Sequence, residues 1–280
     1  MIGERFGRMR RMKIVHVSDG WEPWNGAANI ARKIAEEQTA SGHDVIFRRW
    51  AGPMELRGAD EVWIHCGWKP CLWWAALWGR NVKWMPEACY DPVRLSFHGW
   101  KKWLVGPIER FCLRRCAALV ACCEGESEWI KGYLGETCPR VEITDVKRFF
   151  KLGNKRERRK AGPLRVLFLG RDHPLKGVKY LKRAVSELGV ENPIQLRTVS
   201  NHFGADLESD WSWADVLCLP TLSDNFGLVV AEALEREKIV VTTDGAPAWK
   251  GQSGVVYLKG FREGTDSERV NLLKCALSSL

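Results

Sequence analysis

Residues 216–241 read VLCLPTLSDNFGLVVAEALEREKIVV, and this stretch decides the fold. The apolar run Val216 to Leu219 predicts a buried strand. After a polar loop, Leu228, Ala231 and Leu234 recur at helical spacing. A second apolar run, Ile239 to Val241, follows at once. This succession of strand, loop, helix and strand is the repeating unit of a parallel sheet covered by helices.

The loop and helix between these strands carry two carboxylates, Asp224 and Glu232. Ligands of open parallel sheets bind outside the carboxyl ends of the strands, where Asp224 to Gly227 would lie. A helix N-terminus suits phosphate, and carboxylates accept hydrogen bonds from sugar hydroxyls. Asp224 is also explained as a simple helix cap. Glu232, deeper in the helix between two alanines, is harder to explain in that way.

A second candidate site follows the strand Val166 to Leu169, where the chain reads Gly-Arg-Asp-His-Pro-Leu-Lys-Gly over residues 170–177. Arg171 and Lys176 emerge together from the carboxyl end of that strand. Arginine can hold a diphosphate with two hydrogen bonds, and lysine adds a point charge. The alternative is a solvated basic loop. A second candidate ligand-binding loop, residues 224–232, lies in the same half of the chain and favours an anion site at Arg171 and Lys176.

Strands and helices alternate along the whole chain, which predicts doubly wound α/β domains. Strands are expected at 14–17, 45–48, 61–65, 82–85, 119–122, 165–169, 194–198, 216–219 and 239–241, and helices at 26–40, 70–79, 99–118, 124–133, 178–188, 228–234 and 267–280. A basic segment, Lys147 to Lys160, reads as a linker. We therefore expect two domains, 1–150 and 151–280, facing a cleft, with the final helix packing back on the first domain.

Composition bounds the class of protein. The 280 residues are 45% hydrophobic and 28% charged, as in globular proteins, and the formal net charge is +9. A basic chain favours anionic partners. No apolar run approaches the length of a membrane span, and no signal peptide is visible. The ten cysteines form no Cys-x-x-Cys pair and are expected to be reduced, so we expect a cytoplasmic protein.

In these motifs the chain resembles the GT-B fold glycosyltransferases of retaining family 4. Gly170-Arg171 and Lys176-Gly177 resemble the family's diphosphate-binding element, and 224–234 resembles its Glu-x7-Glu element. The segment 12–45, with its Asn-Gly-Ala-Ala at 25–28, resembles the N-terminal glycine loop. The middle of the chain, 65–92 and 100–124, is similar to members that act on lipopolysaccharide core or other surface glycans.

The resemblance implies a role for each matching residue. Arg171 and Lys176 would bind the donor diphosphate, Glu232 would hold the ribose hydroxyls, and Asp224 would contact the donor sugar. The remaining implied contacts are the backbone of Asn225, Phe226, Gly227 and Leu228, and Gly26, whose missing Cβ lets its loop approach the donor. Asp224 replaces the usual glutamate, and Glu87 stands where many relatives carry a histidine. Asp224 and Glu87 are therefore the candidate catalytic residues.

The resemblance further implies a hexosyltransferase that acts with retention and without an enzyme nucleophile, the leaving phosphate taking the acceptor's proton. No cofactor or metal is expected, and the Asp-x-Asp pair of metal-dependent relatives with the other common fold is absent from the sequence. Dinucleotide and P-loop glycine motifs are absent as well, which argues against oxidoreductases and P-loop enzymes.

The first half of the chain is rich in tryptophan and basic residues. Seven of the tryptophans lie between residues 68 and 103, at Trp68, Trp73, Trp74, Trp78, Trp84, Trp100 and Trp103, and the basic residues that accompany them are Lys101, Lys102, Arg110, Arg114 and Arg115. This mixture suits an anionic membrane surface, so we expect a lipid-linked glycan acceptor and a peripheral position on the inner face of the cell membrane. Alternatively, most of these tryptophans belong to the core. Two other functions stay open: a basic nucleic-acid-binding module, although no such motif is visible, and a non-catalytic GT-B-like protein.

Overall fold

A computed structural model describes residues 10–22, 25–97, 99–153, 162–189, 193–200, 202 and 204–280. These residues form two compact units. The first contains the described residues up to Pro86 together with Trp100–Val120 and Leu134–Glu142, and the second contains Glu87–Gly99, Ala121–Tyr133 and Ile143–Leu280. Residues 154–160 of the basic segment, and the side chains of Trp100, Lys101 and Lys102, lie outside the described part of the chain.

The first sheet has six strands in the order β2-β1-β3-β4-β5-β6, and the strands from β1 to β5 pair in parallel. Its strands are β1 (Lys13–Ser18), β2 (Asp44–Arg48), β3 (Glu61–His65), β4 (Val82–Met85), β5 (Ala118–Ala121) and β6 (Val141–Ile143). The helices of the first unit are α1 (Gly26–Ala40), α2 (Pro53–Arg57), α3 (Pro70–Trp78) and α5 (Gly99–Arg114).

The second sheet has five parallel strands in the order β11-β10-β9-β7-β8. Its strands are β7 (Leu164–Leu169), β8 (Ile194–Val199), β9 (Val216–Leu219), β10 (Ile239–Thr243) and β11 (Val255–Leu258). Its unit also holds α4 (Pro92–Phe97), most of α6 (Glu124–Leu134), α7 (Val178–Leu188), α8 (Ala205–Trp213), α9 (Leu228–Glu235) and α10 (Asp266–Ser278).

Apolar side chains bury the central strands of both sheets. Every residue of β3, β5, β9 and β10 is buried, as expected of parallel strands covered on both faces. The predicted pair of doubly wound α/β domains is confirmed. Because the carboxyl ends of parallel strands share one edge of a sheet, each sheet presents its loops for ligand binding at that edge.

The structure corrects several predicted boundaries. The helix expected over 99–118 ends at Arg114, because Arg115 and Cys116 turn back to bond to the carbonyls of Cys112 and Leu113 before β5 begins. The short elements α2, α4, α8, β6 and β11 were not predicted. The final helix begins at a capping box formed by Thr265 and Glu268 and packs on α7 and β11 of the second unit.

Candidate active site

The order of strands in the second sheet identifies where a ligand would bind. From β7 the chain moves to β8 on one side, and then crosses to β9 on the other side of β7. The carboxyl ends of β7 and β9 therefore form a topological switch point, where open α/β sheets leave a crevice for ligands. Both sequence motifs follow these two strands: Gly170 to Gly177 follows β7, and Asp224 to Gly227 follows β9.

The structure brings Lys176 and Asp224 together at this point. The Lys176 Nζ donates a charge-assisted hydrogen bond to Asp224 Oδ2, and both side chains are largely shielded from solvent. Burial alone would raise the pKa of the Asp224 carboxyl, but Lys176, with help from Arg94 and the Asn225 N–H, holds that pKa below its ordinary value. Asp224 is thus a carboxylate with a preformed cation beside it.

The two loops are joined through their backbones as well. Leu222 N–H donates to the Leu175 carbonyl at 2.7 Å, and the Thr221 hydroxyl donates to the same carbonyl at 3.0 Å. Gly177 allows this approach, since it adopts a left-handed φ of 65° and a Cβ there would lie 1.9 Å from the Pro220 carbonyl oxygen. The contact between the two loops therefore belongs to the fold of the second unit.

The chain after Asp224 is anchored before it enters α9. Asp224 N–H donates to the Gly245 carbonyl at 2.7 Å, and the Trp249 indole N–H donates to the Phe226 carbonyl. Gly227, with a φ of 66°, makes the left-handed turn that leads into α9 at Leu228. The backbone that was predicted to meet sugar and phosphate is thus held at the start of a helix.

Arg171 and Glu232 lie in the same unit but form no hydrogen bond or ion pair with Lys176 or Asp224. The Arg171 side chain is exposed and has no hydrogen-bond or ion-pair partner among the described residues. Glu232 is half-buried on α9, where burial raises its carboxyl pKa and Arg236 offsets part of that increase. As an ionised carboxylate, Glu232 can accept hydrogen bonds from hydroxyl groups.

The other two predicted site residues, Gly26 and Glu87, belong to different units. Gly26 belongs to the first unit and begins α1 after Asn25, whose side chain accepts a hydrogen bond from Ala27 N–H at 3.1 Å. Glu87 belongs to the second unit, is buried, and has a left-handed φ of 56°. The same conformation at Ala88 makes 87–88 a strained turn, since L-residues rarely adopt it.

Sequence reasoning missed two residues of this site, Arg94 and Glu126. Arg94 on α4 donates from Nε to the Ser223 hydroxyl at 3.1 Å and lowers the pKa of Asp224. Glu126 is a buried carboxylate of α6. Neither lies in a recognisable motif: Arg94 is on a helix that was not predicted, and Glu126 reads as an ordinary acid in the first turn of a helix.

Comparison with known proteins places this geometry in a wider context. No protein-family model and no curated protein sequence matches the chain. Solved structures do match. WaaG, a glycosyltransferase of lipopolysaccharide biosynthesis, superposes with a TM-score of 0.64 at 14% identity over 95% of this chain and 90% of its own.

Two further matches contain nucleotide and sugar. Anabaena HepE, in complex with UDP and glucose, matches with a TM-score of 0.58 at 13% identity over 95% of this chain and 90% of its own. The pneumococcal O-GlcNAc transferase GtfA, in complex with UDP and GlcNAc, gives 0.54 at 14% identity over 79% of this chain. The match spans 49% of GtfA, about half of its length.

The chain has the GT-B fold. At identities of 10–14%, the likeness to these structures establishes the architecture of this chain. It does not establish its chemistry, which depends on the chain's own residues.

The tryptophans of the first half of the chain differ in their exposure. Trp84 is fully buried and donates its indole N–H to the Cys66 carbonyl, whereas Trp103 on α5 is 82% exposed. Three more apolar residues are exposed on α5: Leu104, Ile108 and Phe111. The Arg115 guanidinium lies 5.7 Å from the centre of the Phe111 ring. No described helix is long and apolar enough to cross a membrane.

Proposed function

We propose that this protein is a glycosyltransferase that moves a hexose from a nucleotide-sugar donor to a lipopolysaccharide-core or other lipid-linked, cell-surface glycan acceptor. The observation that carries the proposal is the pairing of Lys176 with Asp224 at the switch point of the second sheet. A cation and a carboxylate at one strand edge offer complementary partners to the two halves of a nucleotide sugar: a cation for the diphosphate and a carboxylate for the hydroxyls.

The donor contacts follow this division. Lys176 binds the diphosphate, and the exposed Arg171 adds a second cation from the same loop. Asp224 contacts the donor sugar, and Glu232 accepts hydrogen bonds from the ribose hydroxyls. The backbone from Asn225 to Leu228 meets sugar and phosphate at the start of α9. The UDP complexes of HepE and GtfA support a nucleoside diphosphate as the bound group.

Transfer proceeds with retention and without metal in this proposal. As the bond between the sugar and the diphosphate breaks, negative charge grows on the leaving phosphate oxygen, where Lys176 and Arg171 stabilise it. That oxygen takes the proton of the acceptor hydroxyl as the new glycosidic bond forms on the same face of the sugar. Arg94 stays beside Asp224 when Lys176 turns to the diphosphate, so the Asp224 carboxylate keeps a compensating charge. Glu87 contacts donor or acceptor hydroxyls.

The exposed face of α5 supports the proposed acceptor and cellular position. Its exposed face combines Trp103, Leu104, Ile108 and Phe111 with Arg114 and Arg115 at its C-terminal end. An apolar face bordered by cations binds the interface of an anionic bilayer, and the formal net charge of +9 adds long-range attraction. We propose a peripheral position on the cytoplasmic face of the cell membrane, where a lipid-linked acceptor is met.

A donor-hydrolysis assay over a panel of nucleotide sugars tests the function. One member of the panel should release nucleoside diphosphate, and Asp224→Asn should reduce that release strongly while UDP still binds. If every member is stable but UDP binds, the protein is a non-catalytic GT-B-like binder. If neither hydrolysis nor nucleotide binding is found, the proposal is wrong and a basic nucleic-acid-binding module becomes the better account.

A further inference from the structure

Glu126 is a buried carboxylate for which the proposed chemistry has no direct use. Its side chain is 1% exposed, and it accepts hydrogen bonds from two backbone amides. The Ala88 N–H donates to one carboxylate oxygen at 2.8 Å, and the Cys122 N–H donates to the other at 2.7 Å. A buried carboxylate is tolerated when such donors surround it, so this arrangement needs all of its partners.

The Asn225 side chain provides a third partner. An amide oxygen facing a carboxylate is repelled, so Asn225 turns its nitrogen towards Glu126, where that nitrogen lies 2.9 Å from both carboxylate oxygens. Asn225 directly follows Asp224 in the proposed donor loop. Glu126 therefore connects this loop to Cys122 within the second unit.

The bond to Ala88 holds a strained turn. Glu87 and Ala88 have consecutive left-handed φ values of 56° and 58°, which L-residues avoid unless their surroundings impose them. The bond from the Ala88 N–H to Glu126 lies in the middle of this turn. Glu126 thus contributes to fixing the backbone that carries Glu87, the other candidate catalytic residue.

A simpler explanation is that Glu126 only caps its own helix. The bond from Cys122, four residues earlier, fits that explanation. The bonds from Ala88 and Asn225 do not, because both residues belong to distant segments. Burial raises the pKa of the Glu126 carboxyl, and the Cys122 and Ala88 amides and Arg94 offset only part of this effect. A glutamate that only capped its own helix would not need to be so deeply buried.

We infer that Glu126 is a positioning residue of the donor site, which fixes the Asp224–Asn225 loop and the Glu87–Ala88 turn against Cys122, just before α6. We call the hydrogen bonds of Glu126 with Ala88, Cys122 and Asn225 the tether. The effect of the tether on donor binding rests on the proposed function, but the tether itself is a property of the second unit. It assigns a role to a residue that no sequence motif marks.

The test compares Glu126→Gln with Glu124→Gln. Both remove one negative charge from the first turn of α6, but Glu124 is exposed. Glutamine keeps the shape of glutamate and turns an NH₂ group towards donors, so the tether weakens. The first readout is amide hydrogen exchange in the free protein, and the second is UDP affinity by calorimetry. Asn225→Ala, which breaks the tether from the other side without a charge change, is the second variant.

We expect Glu126→Gln to accelerate exchange at both 87–92 and 222–228 and to weaken UDP binding about tenfold, as losses of such supporting groups commonly do. Asn225→Ala should accelerate exchange at 222–228, and the double variant should lose little more affinity than either single variant, because both break one tether. Glu124→Gln should match the wild type in both readouts.

Different results separate the two ideas. Exchange at the two segments that is unchanged, or that rises equally across the whole protein, would overturn the positioning role, as would fully additive affinity losses. A wild type that binds no UDP but shows the expected exchange pattern would overturn the donor site and leave the tether standing. If Glu126→Gln does not fold, the same exchange and affinity criteria are applied to Asn225→Ala alone.

Discussion

Gly177 is the residue on which the contact between the two donor loops depends. Its left-handed φ and the nearby Pro220 carbonyl leave no room for a side chain, so the loop of Lys176 can lie against the loop of Asp224. The Lys176–Asp224 pair is thus already formed in the free protein, so both side chains are held at the strand edge before a ligand arrives, which is the advantage of a preorganised site. At this scale, a missing Cβ matters as much as the charges.

The effect of filling that space is a direct prediction. Gly177→Ala should destabilise the protein by about 3 kcal/mol or more, since it adds a backbone clash to an unfavourable φ. The matched control is Gly251→Ala, which has a φ of 75° and nothing within 4 Å of the added Cβ. It should cost only about 1–2 kcal/mol, the price of the left-handed conformation. Chemical denaturation measures both, and equal losses would show that the loops do not need this contact.

A buried histidine of the first unit makes stability depend on pH. His16 lies between Gln38 Oε1 at 2.7 Å and His65 Nε2 at 2.9 Å, and burial lowers its pKa from 6.5 to about 4. A histidine with a depressed pKa in the folded state stabilises the fold fully above pH 6.5, and this stability is lost as pH falls towards 4. The loss amounts to about 3 kcal/mol for a shift of this size.

The free energy of unfolding measured at pH 7.5, 5.5 and 4.5 checks this point. The wild type should lose stability steadily below pH 6.5. His16→Gln, which keeps a polar group but cannot take up a proton, should lose less over the same range. If the free energy of unfolding falls equally with pH in both proteins, protonation of His16 is not the cause of the loss.

At the scale of elements, α1 begins at the predicted donor-approach glycine. A Cβ on Gly26 would meet nothing within 4 Å, and its φ is not left-handed, so the fold itself gives no reason for glycine there. The helix cap at Asn25 would also survive a substitution. In the proposed function, the close approach of a donor to the start of α1 is the reason for a glycine at this position.

Gly26→Ala should thus leave the free energy of unfolding unchanged or slightly higher, but reduce kcat/KM for the donor about tenfold or more, because a displaced donor reacts poorly. Gly132→Ala on α6, which also has open space around the new Cβ, serves as the control and should stabilise the protein by about 0.5–1 kcal/mol. Full activity of Gly26→Ala would remove this residue from the donor site.

The exposed face of α5 is tested with vesicles. The wild type should sediment with vesicles containing anionic lipid at low salt and be released as salt screens the charges. The double change Trp103→Ala and Ile108→Ala should weaken binding about tenfold or more, from the apolar area lost. Trp50→Ala, another exposed tryptophan of the first unit, should bind as the wild type does. Binding to neutral vesicles that is insensitive to salt would contradict the proposed surface.

Sequence patterns predicted the central strands and the longer helices and missed several short elements, for a physical reason. Strands such as β9, buried on both faces, are continuous apolar runs with a clear signal. The missed edge strands β6 and β11 have only three and four residues, too few to show a pattern of their own, whereas the longer edge strands β2 and β8 were predicted. Glu126 was missed because its partners come from segments distant in sequence. The number of residues between Lys176 and Asp224 does not give the distance between their side chains. Because each follows a strand of the predicted parallel sheet, both were expected at the same edge of that sheet.

At the scale of the whole molecule, the GT-B fold accounts for the two doubly wound units, and the proposed function depends on the binding of an anion by the second unit. Two loops, joined by backbone hydrogen bonds, present Lys176 beside Asp224 at the switch point of the sheet. Arg94 and Glu126 lie around this pair within the same unit. The central claim is therefore that this edge binds a nucleoside diphosphate.

Calorimetric titration of UDP into the wild type, Lys176→Ala and Lys182→Ala tests that claim most directly. Lys182 is an exposed lysine of α7, so Lys182→Ala removes the same charge from the same unit. The wild type and Lys182→Ala should bind UDP with equal affinity, and Lys176→Ala should lose about tenfold or more, as expected for a charge-assisted contact to phosphate. Equal binding by all three proteins, or by none, would contradict the donor site described above.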